Sequence, residues 1–400
     1  MSELLSCGRF SAEPGRPKVA IVGGGVMGLS IGWRLAVAGC SVDVFEREQA
    51  GRAASWAAAG MLAAGVELEP GEELLYGLNR RSQELWPEFT AELQAAAGMG
   101  IGYRDEGTIV AALTRDDQEQ IRFSYEMQRE AGLDVTWLNG RDVREREPYL
   151  RPGVVGGLYS PGDHQVDNRR LVEALRAAFC KAGGRLHEET PVEAIDVERG
   201  RVRGVFAASG QIPADFVVLA AGPWSREIDG LPDAVRPPVR PIKGQMLSLQ
   251  MDPREPLVRH VLWAPKIYLV PREDGRLIIG GTVEERGFDA RLTAGGMLSV
   301  LEAAWRAVPA IEELPIDETW VGFRPGSRDD APILGPCEVE GLVFATGHHR
   351  NGILLTPVTA DVVSRYIIGG RADEAFATFG IDRFERHEPT LPAVASRETA

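Results

Sequence analysis

The sequence predicts an α/β protein in which an N-terminal βαβ unit is joined to a second, α+β module that is rich in strands. Residues 19–46 follow the order strand, glycine-rich turn, helix and strand, which is typical of a βαβ unit. Short apolar strands alternate over residues 184–220, and an almost unbroken strand-like pattern with proline and glycine punctuation covers residues 242–282. These patterns predict two separate sheets within one chain.

The composition is that of an ordinary globular protein. The chain has 400 residues, 44% of them hydrophobic and 26% charged, which predicts two joined domains with a sizeable core. A net charge of −14 predicts no basic surface for a nucleic acid, so an anionic ligand would need local cations. Residues 1–16 lack the apolar stretch of a signal peptide, and no later run approaches the roughly 18 apolar residues of a membrane helix. We therefore expect no membrane partner.

The cysteines are too scattered for a metal site or a disulfide scaffold. Cys7, Cys40, Cys180 and Cys337 lie far apart in the chain and show no CxxC pairing. This usage predicts no bound metal and fits a reducing compartment, so we expect a cytoplasmic protein.

The N-terminal glycine-rich turn predicts a nucleotide site. Strand 19–22 leads into Gly-Gly-Gly-Val-Met-Gly, where Gly23, Gly25 and Gly28 stand. Such glycines let the backbone approach a pyrophosphate, while the helix N-terminus offers amide donors and a positive dipole. Glu46 ends the next strand 18 residues beyond Gly28, where a carboxylate would bond ribose hydroxyls and disfavour a 2′-phosphate. The unit therefore predicts a Rossmann-like dinucleotide site, with NAD and FAD both open.

The remaining elements follow from periodicity and punctuation. Helices are predicted over residues 80–97, 116–131, 166–182, 297–308 and 357–368. Outside the strand-rich region, strands are predicted over residues 101–113 as a pair around Asp-Glu-Gly, and over 184–187, 191–197, 202–207, 215–220, 317–323 and 342–346. Residues 272–275, Arg-Glu-Asp-Gly, predict a hairpin turn within the strand-rich region.

Three further stretches favour FAD over NAD. Residues 56–61, Trp-Ala-Ala-Ala-Gly-Met, are small enough for backbone amides to lie against a flat ring. Residues 216–222 form a buried strand that ends in a second glycine turn at Gly222. Residues 347–354, Gly-His-His-Arg-Asn-Gly-Ile-Leu, follow a strand and lead toward a helix, which again brings amides and a helix start to a ligand.

Together these stretches resemble the D-amino acid oxidase superfamily of flavoproteins and, within it, the glycine oxidases of bacterial thiamine biosynthesis. The resemblance covers about residues 18–385. Besides the glycine turn, it is carried by Ala-Ala-Gly-Met-Leu (58–62), Lys-Gly-Gln (243–245), Tyr-Leu-Val-Pro-Arg (268–272), Gly-Phe-Arg-Pro-Gly (322–326) and Gly-His-His-Arg-Asn-Gly-Ile-Leu-Leu (347–355). It implies a discontinuous Rossmann-like FAD-binding domain over 17–98, 161–236 and 323–385, a β-rich substrate-binding domain over 99–160 and 237–322, and loose termini at 1–16 and 386–400.

The resemblance also implies which residues hold the ligands. Contacts to FAD are expected at Val26, Met27, Glu46, Arg47, Ala59, Gly60, Met61, Val192, His348, His349, Arg350, Asn351, Gly352, Ile353 and Leu354. The substrate carboxylate is expected at Tyr268, Arg324 and Arg350, because a planar guanidinium binds a carboxylate through two parallel hydrogen bonds. Relatives with covalent flavin have a cysteine near Phe323 and Arg324, and none stands there, so we expect non-covalent FAD.

The implied reaction is the oxidation of glycine, sarcosine or small D-amino acids, with O2 as acceptor, in a dimer or tetramer. Two alternatives stay open: a dehydrogenase of the same fold that reduces a quinone or a protein, and a non-catalytic flavin-binding protein. No side chain is predicted to act as a base. The sequence departs from the glycine oxidase pattern at Ala63, Lys266 and Val283, where a glycine, a histidine and a methionine are more usual.

Two further side chains carry weaker predictions. His348 and His349 would point oppositely on an extended chain, which favours a backbone contact for the first and packing for the second. Lys243 either lies near the flavin and assists its reaction with oxygen or forms an ion pair across the domains, and the ion pair is favoured.

Overall fold

The computed structural model describes residues 15–387. Within them the helices are α1 (Val26–Val37), α2 (Ala54–Ala57), α3 (Glu73–Ala97), α4 (Arg115–Glu130), α5 (Gly140–Arg146), α6 (Asn168–Lys181), α7 (Ala294–Ala307), α8 (Thr356–Gly369) and α9 (Glu374–Phe379). The strands are β1 (Lys18–Val22), β2 (Ser41–Phe45), β3 (Met61–Leu62), β4 (Thr108–Ala112), β5 (Thr136–Asn139), β6 (Gly156–Ser160), β7 (His164–Gln165), β8 (Arg185–His187), β9 (Val192–Glu198), β10 (Arg201–Ala207), β11 (Gly210–Pro213), β12 (Phe216–Leu219), β13 (Arg240–Gln250), β14 (Val261–Ala264), β15 (Ile267–Pro271), β16 (Arg276–Gly280), β17 (Ile316–Gly326), β18 (Ile333–Pro336) and β19 (Leu342–Thr346).

The first sheet carries the glycine turn at its centre. Its strand order is β18-β19-β12-β1-β2-β8, and β1 runs parallel to both neighbours, β2 and β12. One face packs on a core formed with α1, α3, α6 and α8, and the other face packs on the three-stranded sheet β11-β10-β9. The turn after β1 therefore lies at the carboxyl ends of the parallel strands β19, β12, β1, β2 and β8, which is where open α/β sheets bind ligands.

The second sheet has eight strands in the order β17-β13-β16-β15-β14-β4-β6-β5. Side chains alternate between its two faces, as the pleat requires. On β15, Ile267 and Leu269 belong to the core shared with α7, whereas Tyr268 and Val270 belong to a cluster on the opposite face. Ala59 joins that opposite cluster, so this face of the sheet meets a segment that follows α2.

Most predicted elements are confirmed, and two are corrected. The helix predicted over 80–97 begins earlier, at Glu73, and contains Pro87. The strand pair predicted over 101–113 is wrong, because only Thr108–Ala112 is a strand. This strand pairs with β6 and, in parallel, with the distant β14, so long-range partners rather than a local hairpin define it.

Other expectations concern the ends and the organisation of the chain. Residues 1–14 and 388–400 of the predicted loose termini lie outside the described residues. The hairpin turn at 272–275 is confirmed by a hydrogen bond of 3.1 Å from Gly275 N to Arg272 O. The domain boundaries stay a prediction. No helix within residues 15–387 has the length and apolarity that crossing a bilayer requires.

Candidate active site

Within the described residues, a large cavity lies between the two sheets. It has a volume of about 690 Å³, within the range of small-molecule sites, and reaches from the glycine turn to the inner face of the eight-stranded sheet. The predicted residues that line it are Gly23, Gly25, Val26, Met27, Glu46, Arg47, Ala59, Gly60, Met61, Val192, Gly222, Tyr268, Arg324, His348, His349, Arg350, Gly352 and Ile353. Gly28, Asn351 and Leu354 are predicted site residues that do not line it.

The glycine turn forms one end of the cavity. Gly23 has a φ of +109°, and a Cβ there would collide with the backbone of Ala220, at the end of β12. A Cβ at Gly28 would collide with the carbonyl oxygen of Gly23, so Gly28 allows α1 to pack against the turn. Gly25 caps α1 without a side chain of its own, and the helix start lines the cavity at Val26 and Met27, where Val26 N donates to Ser55 Oγ at 3.0 Å.

Glu46 is positioned for a ribose. Its Oε2 accepts a hydrogen bond of 2.8 Å from Gly24 N and its Oε1 accepts one of 3.1 Å from Glu48 N. Each oxygen keeps a further lone pair for a diol, because a carboxylate accepts about four hydrogen bonds. Beside it the guanidinium of Arg47 lies 3.6 Å from the ring centroid of Trp224, which forms another part of the cavity wall.

The 347–354 segment forms the wall between the sheets. His349–Asn351 is a 3-10 turn, and His349 has a φ of +44°, so the chain is not extended there and the argument from opposite side-chain directions does not apply. Burial lowers the pKa of His348 to about 3, so its imidazole is neutral; its Nε2 lies 3.2 Å from Thr359 Oγ1. Leu354 supports the wall from behind, since its carbonyl oxygen accepts a hydrogen bond of 2.9 Å from Trp86 Nε1.

Arg272 holds the 59–61 segment in place, and this role was not predicted. The buried guanidinium donates to the carbonyl oxygens of Ala59 (2.6 Å) and Val166 (2.9 Å) and to Asn168 Oδ1 (3.0 Å). Burial lowers the pKa of Arg272 to about 10, which the carboxylate of Asp167 opposes, so the group stays charged at neutral pH. The sequence signal was the arginine that ends Tyr-Leu-Val-Pro-Arg.

Replacing Arg272 with methionine is expected to lower the free energy of unfolding by about 3–5 kcal/mol, because buried carbonyl oxygens lose their donors and Asp167 loses a compensating charge. Urea unfolding of the FAD-loaded protein measures the change. Arg254, whose side chain is 88% exposed, provides the control as Arg254→Gln and should change stability by less than about 0.5 kcal/mol. Equal stabilities for the two variants would contradict the role assigned to Arg272.

At the other end of the cavity, the side chains of Tyr268 and Arg324 extend over neighbouring strands at positions where those strands carry a glycine. Tyr268 is on β15 and Arg324 on β17, and the strands β13 and β16 lie between them. A Cβ at Gly244 would lie 2.7 Å from Arg324 Nη1, and one at Gly280 would lie 2.6 Å from the Tyr268 hydroxyl. Because neither strand has a side chain at these points, the phenol and the guanidinium both reach the cavity.

The two groups also influence each other. Burial raises the pKa of the Tyr268 hydroxyl, whereas the positive charge of Arg324 opposes that rise. The phenol therefore stays protonated and can donate a hydrogen bond. Arg324 Nη1 donates to the carbonyl oxygen of Thr282 at 3.1 Å. A guanidinium has five N–H groups, so others remain for a ligand.

Arg350 lines the same cavity but is already surrounded by carboxylates. Its Nη2 lies 2.6 Å from Glu72 Oε2, its Nε 3.1 Å from Glu67 Oε2, and its Nη1 3.6 Å from Glu69 Oε1. Nη2 also donates to the backbone oxygen of Glu67 at 3.1 Å. Arg324 and Arg350 thus line one cavity. The guanidinium of Arg350 contacts three carboxylates, whereas that of Arg324 donates to the backbone oxygen of Thr282. Glu67, which also lines the cavity, was missed; the acidic run 67–73 was its only signal.

The ion pair predicted for Lys243 is wrong. Its buried Nζ donates a hydrogen bond of 2.6 Å to the carbonyl oxygen of Arg291. Both residues belong to the predicted substrate-binding domain, so this contact is neither an ion pair nor a contact across the domains. Of the positions that depart from the resemblance, Lys266 and the 71% exposed Val283 line the cavity, whereas Ala63 is buried and does not.

The cysteines of the described residues stand apart from the cavity. Cys40, Cys180 and Cys337 are free, and none of them lines it. Burial raises the pKa of Cys337 to about 11, so it is not a thiolate that could attack a ring. This supports FAD that dissociates, and acid precipitation of the protein should release the flavin.

A glycine turn at a parallel sheet edge, with a second sheet closing the cavity above it, defines a dinucleotide-binding oxidoreductase of the flavoprotein type. The family model described as FAD dependent oxidoreductase, DAO, matches residues 18–366. The chain belongs to this family. The predicted fold class, family resemblance and FAD cofactor are therefore confirmed.

Individual relatives point in the same direction. The chain is 37% identical over 377 residues to the bifunctional protein ThiO/ThiG of Trichormus variabilis, covering 94% of this chain and 56% of that protein. The chain thus spans about half the length of such relatives. It is also 37% identical to a glycine oxidase of Geobacillus kaustophilus, covering 88% and 93% of the two chains. A crystal structure of glycine oxidase from Geobacillus kaustophilus matches with a TM-score of 0.86 at 36% identity, covering 92% and 99%.

The residues present fit FAD at several separate places. The glycine turn and the start of α1 face one end of the cavity, and Glu46 offers lone pairs to a ribose beside them. The Ala59-Gly60-Met61 backbone, held by Arg272, lines the same cavity toward the eight-stranded sheet. A Cβ at Gly60 would collide with the carbonyl oxygen of Val166, so the backbone can pass this close to Val166 only because residue 60 is a glycine. These residues would hold the dinucleotide along the cavity.

Proposed function

We propose that this protein oxidises a small amino acid, with glycine the leading substrate, and uses O2 as the electron acceptor. The observation that carries the proposal is the single cavity in which the dinucleotide motif at one end meets Tyr268 and Arg324 at the other. The similarity to proteins named glycine oxidase, at 37% identity over 88% of this chain, supports the choice of substrate. The products would be glyoxylate, ammonia and hydrogen peroxide.

The protein's part in this reaction is to hold and orient the substrate. Arg324 and the Tyr268 hydroxyl would bind the substrate carboxylate through charge-assisted hydrogen bonds, which fix both its charge and its direction. Arg350 would add positive charge and hold the 67–72 segment beside the substrate. FAD, when bound, supplies the electron-accepting ring.

An anaerobic reduction experiment tests this function. Glycine, sarcosine, D-alanine and D-proline are expected to bleach the flavin absorbance of the purified holoenzyme, and the L enantiomers of the last two are expected to do so far more slowly. Peroxide should form in air without an added acceptor. Bleaching without peroxide formation in air, followed by reoxidation of the flavin only when a quinone is added, would instead favour the dehydrogenase. No bleaching with any amino acid would favour a non-catalytic flavin-binding protein.

The wider setting follows from the same relatives. We propose that the product supplies the thiazole branch of thiamine biosynthesis, since several similar proteins are named ThiO/ThiG. A cytoplasmic location and a dimeric or tetrameric assembly remain predictions. Gel filtration with light scattering measures the assembly.

A further inference from the structure

Glu67 is a buried carboxylate at the substrate end of the cavity. Its side chain is 9% exposed, and its neighbours in the cavity wall include Arg324, Arg350 and Tyr268. The other acidic residues that line the cavity within the described chain are Glu46, beside the glycine turn, and Glu227, which follows the second glycine turn. Of these three acidic residues, Glu67 is the one beside the proposed carboxylate site, because it pairs with Arg350 and its charge acts on Tyr268.

One oxygen of Glu67 lacks a hydrogen bond. Oε2 is buried and has no hydrogen-bond partner, and the facing Nε of Arg350, 3.1 Å away, has none either, because the two atoms are close without being aligned. Because Oε2 faces Arg350 and is closed to the cavity, an N–H group of a ligand would have to bond the other oxygen, Oε1, of this cavity-lining residue, which accepts no hydrogen bond from the described residues.

The backbone around Glu67 is fixed from both sides. Asp163, between β6 and β7, accepts hydrogen bonds from Gly65 N (2.9 Å) and Val66 N (2.8 Å). Gln83 of α3 donates to the same carboxylate at 2.9 Å, and Arg350 donates to the backbone oxygen of Glu67 at 3.1 Å. The backbone that carries the carboxylate is therefore held in place, and the carboxylate itself is paired with Arg350 Nε at 3.1 Å.

We propose that Glu67 binds the ammonium group of the amino-acid substrate and accepts one of its protons. This inference depends on the function proposed above. An amino acid carries opposite charges at its two ends, and the site offers Arg324 with Tyr268 to the carboxylate and Glu67 to the ammonium group. In the proton transfer an N–H bond of the substrate breaks and an O–H bond forms on Glu67, which leaves a neutral amine. That proton later passes to solvent.

The charges around Glu67 support this role. Burial raises the pKa of Glu67 to about 7; Arg350 and Arg324 oppose the rise, whereas Asp163 and Glu72 add to it. Tyr268, which faces the group from β15, remains neutral. A carboxyl group with a pKa near 7 is ionised above that pH and can then accept a proton. For the free enzyme, kcat/KM for glycine is therefore expected to rise through about pH 7.

The variant Glu67→Gln separates this role from a structural one. At pH 7 its kcat/KM for glycine is expected to fall by about 100-fold or more, because glutamine cannot accept the proton. The loss should shrink at high pH, where more of the substrate amine is already neutral, and the rise near pH 7 should disappear. Glycolate has the carboxylate and lacks the amine, so its binding, titrated by the flavin absorbance, should not weaken.

Matched variants complete the experiment. Glu73→Gln removes an exposed carboxylate at the start of α3, outside the cavity wall, and should leave kcat/KM and its pH profile unchanged. If Glu67→Gln does not retain FAD, then Glu67→Asp, which withdraws the carboxylate by one methylene, should lower kcat and keep the rise near pH 7. An Asp variant with unchanged kcat would contradict the proposal.

The outcomes distinguish the two proposals. If no amino acid reduces the flavin of the wild-type protein, the proposed function is wrong. If glycine reduces it and Glu67→Gln loses activity equally at every pH, or weakens glycolate binding as much as glycine turnover, then Glu67 acts structurally and this inference alone is overturned.

Discussion

Replacing Arg324 with alanine is expected to lower kcat/KM for glycine by about 30- to 4,000-fold, since removing one partner of a buried charged hydrogen bond costs about 2–5 kcal/mol. The substrate carboxylate would then lie in a largely apolar cavity without its main donor. Arg350 cannot substitute fully, because Glu67, Glu69 and Glu72 already surround its guanidinium. Steady-state kinetics at a fixed pH measures the loss.

Two variants show whether geometry or charge is responsible. Arg324→Lys keeps the charge but not the planar pair of donors, so an intermediate loss is expected. Arg254→Gln removes a guanidinium that is 88% exposed and should leave kcat/KM unchanged. If Arg324→Ala retained glycine turnover within about 3-fold of the wild type, a difference worth less than about 1 kcal/mol, the carboxylate would have to bind elsewhere.

Replacing Gly28 with alanine is expected to weaken FAD binding by about 5- to 140-fold, because inserting a methyl group into a closely packed site costs about 1–3 kcal/mol. The new Cβ would collide with the carbonyl oxygen of Gly23, so α1 would have to move away from the glycine turn. The amides at the helix start would move with it. Fluorescence titration of the apoprotein with FAD measures the affinity.

The control for this variant is another glycine within a helix. Gly77 lies in α3, and a Cβ there would have no heavy atom within 4 Å. Gly77→Ala should therefore leave FAD binding unchanged and keep or raise stability by up to about 1 kcal/mol, because alanine favours helices. Equal loss of FAD from both variants would show that the collision at Gly28 is not the cause.

The nucleotide end of the site could be predicted because its parts are adjacent in the chain. The strand, the turn and the helix that hold Gly23, Gly25 and Gly28 lie within a short stretch, and their spacing follows from local geometry. Tyr268 and Arg324 came from the resemblance alone. Their side chains reach one cavity because Gly244 and Gly280 lie on the strands between them. This arrangement could not be predicted without the strand order of the sheet.

The errors share one physical cause. The strand pair predicted over 101–113 depended on local pattern, whereas β4 is defined by its pairing with β14, more than a hundred residues away. The ion pair predicted for Lys243 assumed that a charged side chain finds an opposite charge, whereas a backbone oxygen at Arg291 satisfies it. In both cases the partner is chosen by packing, which short stretches of sequence do not encode.

The sequence by itself determined the class of fold, the dinucleotide turn, the family and the residue types available to a carboxylate. Only the tertiary structure decided which of them act together. Arg350 meets Glu72, 278 residues away, and Glu67 lies buried beside both, because the segment before α3 folds against the turn that follows β19. The physical reason is that hydrogen bonds and ion pairs depend on distances of a few ångströms, and only the folded chain sets such distances between remote residues.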